Sequence, residues 1–207
     1  HDRLVLSYGD TMKTICIVNQ KGGVGKTTTS VNLASALANL KRKVLLIDLD
    51  PQGNASSGLG LKRHEYQDCN IYHVLIGQAE VCKSVYETQT EGLFVLPANS
   101  DLVGAEIELV DEAQREYCLK EALSMVKEDF DYVLIDCPPS LSLLTINALT
   151  AADSFLVPLQ CEYYALEGLS QLLNTAGLIK KKLNPSLKIE GILLLMVLLK
   201  HVLRLQV

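Results

Sequence analysis

The stretch NQKGGVGKTTTSVNLA, residues 19–34, decides how the chain is read. Three glycines and two lysines stand together just ahead of an apolar helical pattern. Glycine favours neither helix nor strand there, so the segment answers a geometric or chemical need. The run TICIVN (14–19) precedes it and Lys26-Thr27 open the helix, which is the strand, glycine-rich loop, helix layout of a phosphate-binding loop. Gly22, Gly23 and Gly25 let the backbone turn tightly and bring successive N–H groups up to an anion. Lys26 supplies positive charge to the β and γ phosphates, and Thr27 offers a hydroxyl to Mg²⁺. The nucleotide-binding set read from this stretch is Gly22, Gly23, Val24, Gly25, Lys26, Thr27 and Thr28. A turn that merely caps a helix accounts for neither lysine nor the threonine run.

Outward from the loop, short apolar runs alternate with longer helical patterns, the signature of βαβ units and a mostly parallel sheet. Strands are expected at 14–19, 43–50 (KVLLIDLD), 93–98 (LFVLPA), 132–138 (YVLIDCP), 154–160 (SFLVPLQ) and 188–196 (KIEGILLLM). Their near-continuous apolar character suits strands covered on both faces. Helices are expected at about 26–40, 104–127, 142–151 and 163–182, with a short one near 70–77. The fold class is α/β: a three-layer α/β/α sandwich of the P-loop NTPase kind. With 207 residues, 48% hydrophobic, no internal repeat and no linker, the chain supports one domain.

Two strand ends carry acid. Asp48 and Asp50 close the second strand, and Asp136 closes the fourth after four apolar residues, where ligands of open α/β sheets bind. Asp136 is placed to hold Mg²⁺ directly or through water, and Pro138 and Pro139 end its strand. Either of the first two could serve a metal or a water, although an ordinary Asp-Pro turn would use the same residues.

Other chemistries find no support. The four histidines, at 1, 64, 73 and 201, form no hydrolase constellation. Six cysteines, at 16, 69, 82, 118, 137 and 161, are scattered without zinc-ligand spacing and read as small core residues of a reduced, cytosolic protein. A net charge of −5 argues against a surface that is basic throughout, so any nucleic-acid contact needs a local patch. The run Lys180-Lys181-Lys182 with Lys188 is the clearest basic cluster, and it equally suits a solvated helix end.

The loop departs from the standard pattern. Gln20 stands where G-x-x-x-x-G-K-[ST] has its first glycine, and Lys21 begins the loop. The K-G-G-x-G-K-T-T form resembles the deviant Walker A of the ParA/MinD class of ATPases. DLDPQGNASSGLG (48–60), PLQCEYYALEGLSQLL (158–173) and NPSLKIEGILL (184–194) look like the ParA/Soj-type partitioning branch, a similarity running from about Met12 to Leu194. The resemblance implies that Lys21 reaches across a homodimer with ATP sandwiched in it. It implies that Asp50 positions the attacking water and that Asp48 lies nearer the Mg²⁺ shell beside Thr27 and Asp136, so that Lys21, Lys26 and Asp50 carry catalysis. It further implies a cytoplasmic, nucleoid-associated Mg-ATPase switch whose ATP-bound dimer binds DNA without sequence preference and is stimulated by a ParB-type partner. A MinD-like membrane-cycling ATPase, and a nucleotide-binding remnant without turnover, are the alternatives.

The ends fit this pattern least. Residues 1–11 read as a tag or non-native leader before Met12, residues 12–196 as the ATPase domain and 197–207 as an atypical tail. After Gly191 the sequence ILLLMVLLKHVLRLQV has no turn chemistry to close an element. Three readings compete: a buried last strand with a ragged end, a basic-apolar helix on a membrane, and a frame-shifted tail. Family members continue for several dozen residues with base-holding and DNA-contacting groups, so no residue is assigned to adenine or to DNA.

Overall fold

The computed structural model describes residues 12–160 and 165–195. The leader, Cys161 to Tyr164 of the Glu-Tyr-Tyr segment, and the tail from 196 onward lie outside the described residues.

The chain order is β1 (Lys13–Ile17), α1 (Lys26–Asn39), β2 (Val44–Asp48), α2 (Asn54–Gly58), α3 (Ile71–Leu75), β3 (Tyr86–Glu87) and β4 (Leu93–Leu96). There follow α4 (Leu102–Glu108), α5 (Cys118–Ser124), β5 (Tyr132–Asp136), α6 (Leu143–Ala151), β6 (Ser154–Gln160), α7 (Ala165–Lys182) and β7 (Lys188–Leu195). The strands form one sheet in the order β3-β4-β2-β5-β1-β6-β7. All pairings are parallel except β3 with β4. The expected α/β class with a mostly parallel sheet is what the chain adopts.

Alternation along each strand divides the core. Ile15, Ile17, Val44, Leu46 and Leu134 face Ala34 and Ala38 of α1 and Ala55 of α2. Their neighbours Cys16, Leu45, Ile47, Val133 and Ile135 belong to the larger cluster on the other face, built with α3 to α7. Because side chains point to opposite faces with period two, a strand buried on both faces reads as an unbroken apolar run. Parallel register sets β5 between β1 and β2, so Ile17 pairs with Asp136 and Asp136 with Asp48. The loops after β1, β2 and β5 therefore open together at the carboxyl ends of these central strands.

Three expectations are corrected. The helix expected over 104–127 is interrupted: α4 runs into a 3₁₀ turn (Leu109–Asp111), Glu112 is extended, and Gln114 has φ 62° before α5 begins. The break is held by Asn147 of α6, whose Nδ2 donates to the Arg115 carbonyl (2.8 Å) and whose Oδ1 accepts from Leu119 N (3.1 Å). Second, β3 and α2 lie where no element was expected; they are short, and their placement comes from neighbours. Third, the expected buried last strand is a strand, but an exposed one. β7 pairs only with β6 among the described residues, and Ile189, Ile192, Leu193 and Leu194 are 49%, 43%, 38% and 55% exposed. At the sheet edge neither of its faces is covered as those of β1, β2 and β5 are.

Candidate nucleotide-binding site

Asn19, two residues past β1, sets the start of the loop. Its Nδ2 donates to the Pro158 carbonyl of β6 (2.7 Å) and its Oδ1 accepts from Lys21 N (3.0 Å). Gly23 and Gly25 then adopt φ of 72° and 87°, the left-handed region that glycine enters without strain. A Cβ on Gly22 or Gly23 would meet nothing within 4 Å, so the concave side there is open. At Gly25 it would lie 2.8 Å from Leu195 Cδ1. Gln160, at the end of β6, braces the far side by donating from Nε2 to the Gly23 carbonyl (2.9 Å).

Lys26 begins α1 and is 7% exposed. Its Nζ donates to the Lys21 carbonyl (3.1 Å), folding the ammonium into the curve of the loop. Burial lowers its pKa, and the charges of Asp136 and Asp50 act against that. Val24 is buried beneath the loop, whereas Lys21, Gly22, Gly23 and Thr28 are exposed along it.

Asp136 ends β5 without exposure to solvent. Its Oδ1 accepts from Ser30 Oγ (2.8 Å). Burial pushes its pKa up to about 6, against the influence of the neighbouring Thr27 hydroxyl, of Ser30 and of Lys26. Oδ2 is buried with no partner. A buried polar atom left unpaired calls for an explanation, and a bare carboxylate oxygen beside a threonine hydroxyl is the hard-oxygen chemistry that Mg²⁺ takes. The residues present therefore fit the ion.

Asp48 and Asp50 diverge. Asp48 is wholly buried, and its Oδ2 accepts from both the amide (2.9 Å) and the hydroxyl (2.7 Å) of Ser56, while Oδ1 accepts from Asp50 N (3.1 Å). Burial pushes its pKa up to about 7. Both oxygens are engaged by the protein itself, so Asp48 braces the segment that carries Asp50. Asp50 is part-exposed, its Oδ1 accepting from Gln52 N (3.0 Å). Its charge acts on both Lys26 and Asp136. Gly53 completes the turn at φ 65°, where a Cβ would lie 2.7 Å from the Ala98 carbonyl oxygen.

The fold thus gathers Lys26, Thr27, Asp136 and Asp50 at the carboxyl ends of the central strands and holds Asp48 just behind them. Sequence reasoning missed Asn19, Ser30, Ser56 and Gln160. Only Ser30 carried a signal, being one helical turn beyond Lys26.

A family model described as an AAA domain matches residues 12–189. The sporulation initiation inhibitor protein Soj of Bacillus subtilis is 59% identical over 184 residues, covering 89% of this chain and 72% of Soj. The chain belongs to the ParA/Soj family of partitioning ATPases. Another member, the chromosome partitioning protein ParA of Myxococcus xanthus, is 56% identical over 89% of this chain, which spans 65% of that relative's length. Among solved structures, a cobyrinic acid a,c-diamide synthase from Mycobacterium smegmatis with bound ATP analogue and magnesium is 45% identical, with a TM-score of 0.85 over 88% of this chain and 74% of its own. A plasmid partition protein from Borrelia burgdorferi bound to AMPPNP is 31% identical, with a TM-score of 0.74 over 88% and 74%. Solved chains of this fold at 31% and 45% identity thus include proteins seen with nucleotide. No helix among the described residues is long and apolar enough to cross a membrane.

Proposed function

We propose that the chain binds Mg-ATP in the loop of residues 21–28 and hydrolyses it slowly, as a switch for DNA segregation. The observation that carries this reading is the buried, unpartnered Oδ2 of Asp136 beside Thr27 and Lys26, at the foot of an open glycine cradle. The backbone N–H groups of Gly22 to Thr27 would take phosphate oxygens, and the Lys26 ammonium would share the same charge. Thr27 and Asp136 would hold Mg²⁺, which would supply positive charge against the negative charge of the phosphates. Ser30 holds Oδ1 of Asp136, and Oδ2 is left for the ion. Asp50 would orient the attacking water, with Asp48 and Ser56 fixing where it stands.

Lys21 is exposed at the outer rim of the loop, the position from which it would act on nucleotide held by a second copy. On this reading ATP is sandwiched in a homodimer, residues 12–196 are the ATPase domain, and the dimer binds DNA without sequence preference in the cytoplasm, on the nucleoid. A ParB-type protein triggers hydrolysis and release. Ordering of loops by the γ-phosphate supplies the two states.

The test is Mg-dependent binding of a fluorescent ATP analogue, phosphate release and sedimentation, with and without duplex DNA. The chain is compared with Lys26→Ala and Lys21→Ala. Lys26→Ala is expected to lose binding and turnover together. Lys21→Ala is expected to keep binding but lose the ATP-dependent dimer and, with it, turnover. Nucleotide binding that ignores Mg²⁺ and survives Lys26→Ala would overturn the site, and an ATP-dependent dimer that survives Lys21→Ala would overturn the role of that lysine.

A further inference from the structure

Beside the turn that carries Asp50 stands Tyr66, wholly buried, its hydroxyl without a hydrogen-bond partner among the described residues. A buried hydroxyl left unpaired calls for an explanation. It is not placed to turn away. The Tyr66 ring meets that of Tyr86 edge-on with centroids 6.3 Å apart, and the Tyr66 carbonyl accepts from Asn70 Nδ2 (3.0 Å). Burial raises the pKa of the hydroxyl, so at neutral pH it keeps its proton and is a donor. The charges of Arg63 and Asp48 both reach it.

The turn is the part that can come to the hydroxyl. Gly53 passes close by: a Cβ there would lie 2.7 Å from the Ala98 carbonyl oxygen and 3.8 Å from the Tyr66 hydroxyl oxygen. Glycine puts no side chain in that space, so the backbone is able to close the gap. The same short segment already holds the turn once. Arg63, in the 3₁₀ turn Arg63–Glu65, donates from Nη2 to the Gln52 carbonyl (3.1 Å). Lys62 N donates to Glu65 Oε2 (2.9 Å) and closes the 3₁₀ turn on itself. Of two donors aimed at the Asp50–Gly53 turn, the exposed one has its bond and the buried one does not.

We infer that Tyr66 is a positioning residue for hydrolysis. When nucleotide draws on Asp50, the turn settles onto Tyr66, whose hydroxyl donates to a carbonyl of that turn and, with Arg63, fixes where Asp50 stands. This rests on the Mg-ATPase reading above and adds to it a second state of the turn. A carbonyl that already accepts one bond has a lone pair for another. Pairing the hydroxyl favours the settled turn, and because the gain is confined to the loaded state it acts on turnover rather than on the stability of the free chain.

Tyr66→Phe removes the hydroxyl and nothing else. It is compared with the parent, Arg63→Ala, Arg63→Lys and Tyr86→Phe, which loses a tyrosine hydroxyl bonded instead to the Cys69 carbonyl. The readouts are melting without nucleotide, phosphate release against Mg-ATP concentration, and amide hydrogen exchange over residues 50–58 with and without a non-hydrolysable Mg-ATP analogue. Tyr66→Phe is expected to melt no lower than the parent, since the lost hydroxyl is unpaired. Its kcat is expected to fall at least about fivefold with KM within about twofold. The slowing of exchange that the analogue causes is expected to shrink at least about threefold. Arg63→Ala should lower kcat likewise, and Arg63→Lys should regain most of the loss, because an ammonium also donates to the Gln52 carbonyl. Tyr86→Phe is expected to turn over as the parent does. A lower melting temperature of Tyr66→Phe with an unaltered response to nucleotide would make the hydroxyl merely structural. That result, or kcat and exchange like the parent's, would overturn this inference alone. A parent that shows neither turnover nor slowed exchange with Mg-ATP would overturn it together with the reading on which it rests.

Discussion

At the scale of single residues, the site depends on which polar atoms are paired and which are left bare. Asp136 is buried with one oxygen satisfied and one not, and its neighbour in register, Asp48, has both satisfied. The two carboxylates are therefore expected to respond differently to loss of charge. Asp136→Asn should weaken Mg-dependent nucleotide binding on the order of 100-fold, while the folded chain melts no lower at neutral pH. Isothermal calorimetry and a thermal melt on one sample check both halves. Ser56→Ala removes the hydroxyl that donates to Asp48 and accepts from Ala98 N (3.2 Å), and is expected to cost about 1–3 kcal/mol in denaturant unfolding. Gly53→Ala meets both a left-handed φ and the Ala98 carbonyl. A loss of about 1–3 kcal/mol is expected there too, and unchanged stability would mean that the turn relaxes freely. Of these positions Asp136 was legible in the sequence, since an acid after four apolar residues marks a strand end. Ser56 was not, because nothing local shows that its hydroxyl reaches Asp48.

At the scale of elements, burial separates strands that look alike as text. VLLID in β2 and GILLL in β7 are similarly apolar, yet Val44 to Asp48 are buried and the β7 residues are largely exposed. Ile47→Ala is expected to cost about 2–5 kcal/mol, because it opens a cavity in a packed core. Ile192→Lys is expected to cost less than about 1 kcal/mol, and to reduce any edge-to-edge association seen in light scattering. The α4–α5 break makes the same point for helices. The pattern from 104 to 127 is continuous in sequence, but Asn147 of α6 supplies hydrogen bonds that stabilise an interruption. Strand positions and helix α1 were readable because period and apolarity are local; the break was not, since the group that stabilises it comes from another helix.

At the scale of the molecule, stability and the site share the same buried acid. Burial pushes Asp48 up to about 7 and Asp136 up to about 6, from an ordinary 3.8. Each carboxyl holds its proton more tightly folded than unfolded. Its contribution is therefore fully present below pH ~4 and is lost as pH rises through the folded value, by up to about 1.4 kcal/mol per pH unit for each group while it titrates. The nucleotide-free chain is expected to gain stability from these groups between about pH 7.5 and 5, and Asp48→Asn should flatten that slope in melts across the range. An unchanged slope in the variant would refute the shift. The sequence by itself determined the parallel α/β sheet, the loop of residues 21–28 and the acids at the ends of β2 and β5, because each rests on local spacing: glycine where the backbone must turn, apolar residues where a strand is covered twice, acid where it emerges. Only the tertiary structure decided that Asp48 is a brace, that Asp136 keeps an oxygen bare, that β7 lies exposed at an edge, and that the Tyr66 hydroxyl is buried unpaired beside Gly53. Those outcomes depend on which distant groups the fold brings within hydrogen-bonding or packing distance, and on which faces it leaves uncovered.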